Sequence, residues 1–333
     1  MKRHKQPVFH ARGLLAVSSP LWIAALISTV PVLAAEHPER PLRAIVSFPP
    51  GGANDVLGRA FSPHLSRVLG QPVNIDNRPG ESGFTGVELT AKAAPDGYTI
   101  LFSSATPSTQ LPALFRKPRF DPAKDIKAVA AIGDTPHAIA INSHLPVRNV
   151  AELIRLAGSN PGKLDAASAG VGTRMNTELF QFHNNIKIRI LGYNSTGPTA
   201  IAVATGESQF TITDVLPISQ YLASGRVKLL AIAGDKRLAA YPTVPTIHEA
   251  GVHGYKAGTK YGIYVPGNTP VPVVQKLNAA VNSGLGTPEI LSQLQKLGIE
   301  ATPTSTEEFA KWYLGDLRLW TDIVARAKIP TLD

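Results

Sequence analysis

Leu42-Arg43-Ala44-Ile45-Val46-Ser47-Phe48-Pro49-Pro50-Gly51-Gly52-Ala53-Asn54-Asp55 is the stretch on which the fold class turns. Residues 42–48 are nearly all apolar and rich in aliphatic side chains, the composition of a strand buried on both faces. Pro49 to Gly52 break that run, and a helical pattern then extends over residues 55–69. Pro63 falls inside it and predicts a kink or a restart. Strand, glycine loop, helix is the unit from which α/β folds are assembled. A second copy of the arrangement is Ala167-Ser168-Ala169-Gly170-Val171-Gly172-Thr173, between a strand at 164–168 and a helix at 173–182.

The pattern continues outward from both stretches. Further strands are expected at 73–76 and 99–103, a helix at 86–93, and a longer β-like run at 129–142. A new set of units then begins with a helix that Asn149 can cap and that Asn160-Pro161-Gly162 closes. Strands follow at 186–192, 209–213 and 227–233, separated by helices at 199–204 and 218–223. From Pro270 the chain reads as helices, at 271–283, at 288–297 and then one opened by the capping box Ser305-Thr306-Glu307-Glu308. On that last helix Phe309, Trp312, Leu317, Trp320, Ile323 and Val324 are expected to face inward. The fold class predicted is therefore α/β. It has two lobes, each a mostly parallel sheet flanked by helices, with a ligand cleft between them. Lobe 1 comprises residues 36–141 with 258–333, and lobe 2 residues 142–257. No Gly/Ser linker separates them, which fits lobes joined by strands that cross more than once.

The N-terminus reads differently. Lys2, Arg3, Lys5 and Arg12 precede an apolar run at 21–33 that ends in small residues, the layout of a secretory signal peptide. Val32 and Ala34 fit positions −3 and −1 of a cleavage site, and cleavage after Ala35 fits nearly as well. Residues 1–35 are read as that signal peptide and the mature protein as periplasmic. The whole chain carries 33 Lys+Arg against 24 Asp+Glu, a net +9. Removing the four N-terminal positives leaves 29 − 24 = +5, scattered along the chain, which gives no case for nucleic acid. The chain has no Cys, so an exported protein of this kind is held by its cores rather than by disulfides.

Each of the two glycine loops places a helix start at the carboxyl end of a strand, where open α/β sheets collect ligands. Unpaired N–H groups and a partial positive charge make such a start receptive to an anion, and glycine lets the backbone approach it closely. Two such loops facing across a cleft would grip a carboxylate without any Arg. Each alone is equally well a tight strand-to-helix turn with no ligand.

The wording from Pro41 to Asp55 resembles the start of the Bug family, the TctC-like periplasmic receptors of tripartite tricarboxylate transporters. Collinear matches follow at Gly70-Gln71-Pro72-Val73, Asn77-Arg78-Pro79-Gly80, Ala93-Ala94-Pro95-Asp96-Gly97-Tyr98-Thr99, Asn160-Pro161-Gly162-Lys163-Leu164, Ser168-Ala169-Gly170-Val171-Gly172-Thr173 and Tyr241-Pro242-Thr243-Val244-Pro245-Thr246. The resemblance implies a two-lobed binding protein that captures a small carboxylate, whether a di- or tricarboxylate, an amino acid or an aromatic acid. It would deliver this ligand to a membrane permease, acting as a monomer and without cofactor or metal. By position it implies ligand clamps at Pro50, Gly51, Gly52 and Asp55, and at Ser168, Gly170, Gly172 and Thr173. Ser104 and Thr106 match a further loop at the cleft. Asp214 matches an acidic or amide position near the ligand, and equally suits a cap for the next helix. The chain departs from the family at Arg174-Met175-Asn176-Thr177, at Gly192-Tyr193-Asn194-Ser195-Thr196-Gly197 and at Thr259-Lys260 before Tyr261-Gly262. Arg174 could pair a second carboxylate bidentately, or simply sit solvated at a lobe edge.

Two other readings compete. A ligand-sensing receptor would present the same lobes to a membrane sensor instead of a permease. A serine hydrolase would use Ser168, since Ala166-Ala167-Ser168-Ala169-Gly170 has the small-x-Ser-x-Gly form of a nucleophile elbow and His248 and His253 lie downstream. Nothing in the sequence ties either histidine to Ser168. The Gly170-Val171-Gly172 run is an incomplete dinucleotide fingerprint, and the nine His residues lack the i, i+4 spacing of a zinc site.

Overall fold

The computed structural model describes residues 37–333, so the expected signal peptide lies outside the described residues. The strands are β1 (Leu42–Val46), β2 (Val73–Asn77), β3 (Thr99–Ser104), β4 (Ile126–Pro136), β5 (Ala138–Asn142), β6 (Asp165–Ala169), β7 (Arg189–Tyr193), β8 (Phe210–Thr213), β9 (Val227–Ile232), β10 (Gly258–Pro266) and β11 (Glu300–Ala301). They form a six-stranded sheet in the order β11-β4-β10-β3-β1-β2 and a five-stranded sheet in the order β7-β6-β8-β5-β9. Helices pack on both, as an α/β fold requires.

The sheets are mixed rather than mostly parallel. β1 pairs in parallel with β2 and β3, and β6 with β7 and β8. The pairs β3–β10, β10–β4, β4–β11, β8–β5 and β5–β9 are antiparallel. The reason is the double crossing. β4 carries the chain out of the first sheet and β10 brings it back beside β4, so the two run in opposite directions. β5 and β9 are the corresponding entry and exit of the second sheet. Parallel neighbours need a crossover connection, and only the units that open each lobe have one. The outward crossing falls at His137, between β4 and β5, and the return lies between β9 and β10. The sequence placed the outward boundary after residue 141, whereas Ala138–Asn142 pairs with β8 and β9 and belongs to the second sheet.

The first helix, Ala53–Leu69, runs on through Pro63 without the predicted interruption. Phe61 and Leu65 on either side are both buried, and their packing holds the helix together across the one missing N–H. Asn149 caps Val150–Ser159 by accepting from Glu152 N–H, and the Ser305–Glu308 capping box forms on Thr306–Arg326. On that last helix Phe309, Tyr313, Leu317, Trp320, Ile323 and Val324 are buried. Tyr313 takes the core position expected of Trp312, whose half-buried indole stacks on Phe309 at 5.4 Å between centroids. The helix reaches the second lobe, where Arg326 lies 4.8 Å over the Phe182 ring. No helix among the described residues is long and apolar enough to cross a membrane.

Candidate functional site

β1 ends at Val46 and delivers the chain into the first glycine loop. Gly51 has φ +86°, a backbone conformation that favours glycine. The Phe48 ring lies where a Cβ on Gly83 would approach to 2.9 Å, so the loop packs directly on that backbone. Asp55 is buried and turned into its own loop. It accepts from Gly51 N–H at 2.9 Å, from Arg59 Nε at 2.9 and 3.1 Å, and from Asn77 Nδ2 at 2.9 Å. Burial works to raise the Asp55 pKa, but these hydrogen bonds outweigh it and hold the carboxyl below its ordinary range. Asn77 also donates to Phe48 O at 3.0 Å, closing the loop on itself. Asp55 thus shapes the clamp from behind, and its oxygens are already spoken for. Pro50, Gly51 and Gly52 are exposed at the tip.

The second loop follows β6. Gly170 has φ +83° and precedes the helix Val171–Asn184. The Ser168 hydroxyl meets Thr173 Oγ1 at 3.0 Å and donates to Gly170 O at 3.2 Å. No histidine bonds it. His248 and His253 are exposed and bond each other instead, so the base required of a hydrolase is not in place at Ser168. Both Gly52 and Gly170 start their helices without any side-chain cap, whereas Asn149 and Ser305 cap theirs. The first N–H groups of these two helices are therefore not consumed by their own chain.

The two sheets meet at this point. After β3 comes a π-helical turn, Thr106–Gln110, which the sequence read only as a loop carrying Ser104 and Thr106. A Cβ on Gly172 would stand 2.5 Å from Thr106 Oγ1 and 3.5 Å from Gln110 Oε1. Thr106 Oγ1 in turn donates to Gln110 Oε1 at 3.1 Å. Beneath, Ser47, Ser103 and Ser108 join hydroxyls at 3.0 and 3.2 Å. Ser104 is buried beside them. Arg174 is half exposed and lies 3.7 Å from Glu178, whose pKa burial raises.

Asp214 follows β8, next to the second loop in the sheet because β8 and β6 pair in register Ala166↔Phe210 and Ala167↔Thr211. It caps no helix here. Its Oδ1 is buried, without a hydrogen-bond partner, and 3.3 Å from His137 Nε2. Sequence reasoning missed His137. It is buried at the crossing between the sheets, with Asn176 Nδ2 3.0 Å from Nδ1 and Thr259 Oγ1 3.3 Å from Nε2. With the amide donating to Nδ1, the ring proton sits on Nε2, facing Thr259 and Asp214. Burial, with the charge of Asp214 second, pushes the Tyr261 phenol well above its ordinary pKa. Asn54 Oδ1 at the first helix start and Thr213 Oγ1 beside Asp214 are also buried without partners. Orphaned polar atoms of this kind mark places that polar groups of a ligand or solvent complete.

A cavity of about 970 Å³ is bordered by Asp134, Lys260, Trp312, Asp316 and Trp320 and reaches Gln110 and Asn176, and none of the ligand-binding residues expected from the sequence lines it. Lys260 and Tyr261 are neighbours on β10 and point to opposite faces. The cavity takes in Lys260 but not Tyr261, and it extends to Asn176, the residue bonded to His137. Among the described residues no group of three or more His, Cys, Asp or Glu is disposed to hold a metal ion.

Comparison with known proteins bears on the family and the fold. The sequence model of the tripartite tricarboxylate transporter family receptor matches residues 57–329. Protein BugT of Bordetella pertussis is 31% identical over 317 residues, covering 93% of this chain and 96% of its own. The structure of Rpa4515 from R. palustris with adipate superposes with a TM-score of 0.72 at 30% identity, covering 89% of this chain and all of that one. MatC from Rhodopseudomonas palustris with bound malate gives 0.70 at 28%, covering 86% and 99%. These matches, which span nearly the whole of the described chain, lead to one conclusion: the chain belongs to the tripartite tricarboxylate transporter receptor family, the solute-binding receptors to which the Bug proteins belong.

Proposed function

We propose that this protein captures a small carboxylate between its two sheets and presents it to the permease of a tripartite tricarboxylate transporter, with no chemical step. The observation that carries the reading is the helix start of the second loop, whose Gly172 stands against Thr106 on the turn that follows β3 of the first sheet, while the first loop's helix start at Gly52 is likewise without a side-chain cap. A carboxylate seated there would accept N–H groups from both helices and sit at the positive end of both dipoles. Gly51 and Gly52 would face it from the first sheet. Gly170, Gly172, Ser168 and Thr173 would face it from the second. Adipate and malate in related structures support a ligand of this class. Asn54 Oδ1 at the first helix start and Asp214 Oδ1 after β8 each lack a hydrogen-bond partner, so the ligand is expected to carry a donor, an ammonium or a hydroxyl, besides its carboxylate. Arg174 at the edge would serve a second carboxylate by leaving Glu178.

The chain is taken to act in the periplasm as a monomer after cleavage near Ala34 or Ala35. Ligand contacts both sheets only when the cleft is closed, so binding would shift the population toward the closed form. A thermal-shift screen against small carboxylates, hydroxy acids and amino acids tests the proposal, because a ligand raises stability with the logarithm of its concentration over Kd. A ligand whose stabilisation disappears in Gly172→Val supports it. Stabilisation by no member of the screen, or ester hydrolysis that depends on Ser168, would defeat it.

A further inference from the structure

We propose that His248 and His253 form a surface site for a divalent first-row ion, Cu(II) above all. The two imidazoles lie five residues apart in the return segment between β9 and β10, a spacing that suggested no metal site in the sequence. Their Nδ1 atoms are 2.9 Å apart, with ring centroids at 4.3 Å and planes inclined at 67°. That separation is a hydrogen bond between the rings, and it holds two donor nitrogens within reach of a single ion, which at metal–imidazole distances of about 2.0–2.1 Å needs them about 2.9–3.4 Å apart. Imidazole suits Zn(II), Ni(II) and Cu(II) alike, and Cu(II) binds most tightly of the series.

The backbone that presents the rings is fixed. Thr246 and Glu249 cap each other at 2.7 and 3.1 Å, Gly251 N–H donates to His248 O at 3.0 Å, and Val252 N–H to Ile247 O at 3.1 Å. Ile247 and Val252, each next to one of the histidines, are buried, and Ile247 N–H is tied to Ile232 O at the end of β9. Gly251 makes the turn with φ +89°. Both imidazoles are exposed, so an ion reaches them from solvent. Glu249 is engaged by Arg237 at 2.8 Å and by Thr246, which leaves two protein ligands and the remaining positions to water. As the rings stand, one Nδ1–H donates to the other Nδ1. Binding requires only that the donor ring move its proton to Nε2 and that both lone pairs swing toward the ion, with no net proton release.

The experiment uses untagged exported protein in a His37→Gln background, because cleavage after Ala34 would place His37 third from a free amine and so create a competing amino-terminal chelate, with Cu(II) alone, followed by electron paramagnetic resonance and by competition against a chelator of known affinity. Wild type should bind a Cu(II) whose spectrum carries two imidazole nitrogens from these residues. His248→Gln and His253→Gln should each weaken it by about a hundredfold, because the second ligand acts at the high effective concentration of a chelate. His183→Gln, near the same turn but outside the pair, should bind as wild type does. The double variant His248→Gln/His253→Gln, which touches no buried side chain, should lose the signal while keeping its melting temperature. An unchanged Cu(II) isotherm and spectrum in that double variant, or a wild type that binds no Cu(II), overturns the proposal.

Discussion

Replacing Asp316 by Asn isolates the cost of one half-buried carboxylate. Asp316 sits on the last helix against the cavity that Lys260 borders, where it accepts from Thr109 Oγ1 at 2.5 Å and from Trp320 Nε1 at 3.2 Å. Burial drives its pKa up from 3.8 to about 6, against the lowering influence of Thr109, Trp320 and Lys260. A carboxyl whose folded pKa is raised is stabilised in its protonated form. As pH climbs from about 4 to about 6, the unfolded chain releases this proton while the folded chain keeps it, so stability falls across that window and levels above it. A shift of about two units corresponds to about 3 kcal/mol at pH 7. Asn is neutral at every pH and keeps an oxygen for Thr109. The difference between variant and wild type should therefore be near zero at pH 4 and grow to about 3 kcal/mol in favour of Asn at pH 7. For a chain of this size that is about 5 °C in melting temperature. Scanning calorimetry of both proteins from pH 4 to 8 at constant ionic strength, without ligand, reads it directly. An Asn variant offset from wild type by the same amount at every pH, or less stable at pH 7.5, would refute the burial argument.

Three other substitutions probe the cleft and its support. Gly172→Ala puts a methyl 2.5 Å from Thr106 Oγ1, and overpacking of this kind costs about 1–3 kcal/mol. On the proposal that this contact forms as the cleft closes, calorimetric titration should show affinity for the carboxylate down by about 5- to 150-fold with little change in the unliganded melt; unchanged affinity would place the closure elsewhere. Asp55→Ala removes the acceptor shared by Gly51, Arg59 and Asn77. Because the folded pKa of Asp55 is lowered, its contribution exists above the unfolded pKa and is lost as pH falls through the folded one, so the variant's deficit in denaturant midpoint should shrink toward acid. Ser305→Ala breaks the capping box of the last helix and should cost about 1 kcal/mol, seen as a lower urea midpoint at unchanged slope.

Most of the elements were legible because they are written locally. The apolar run ending at Val46, the glycines after it and the helix beyond are neighbours in sequence, and the pattern alone separates strand from helix. Asn149 and the Ser305 box announced their helix starts through side chains three residues from the N–H groups they meet. The misses have a different character. The antiparallel half of each sheet follows from two passages of chain between the sheets, which no local period encodes. The π-helical turn at Thr106–Gln110 is fastened by Thr109 to Asp316, a partner far along the chain. Tyr313 replaced Trp312 in the core because a small rotation of the helix decides which of two adjacent aromatics faces inward.

By itself, then, the sequence determined the α/β class, the two glycine loops and, through its collinear motifs, the family. These rest on residues within a few positions of one another, where backbone geometry leaves few choices. The tertiary structure decided that Gly172 meets Thr106, that Asp55 braces its own loop, and that His137 at the crossing faces an unpartnered Asp214. It also brought His248 and His253 to 2.9 Å. Such contacts depend on strand register, on turn geometry and on the packing of remote elements, whose balance of burial against chain entropy is struck by the whole fold rather than by any one segment.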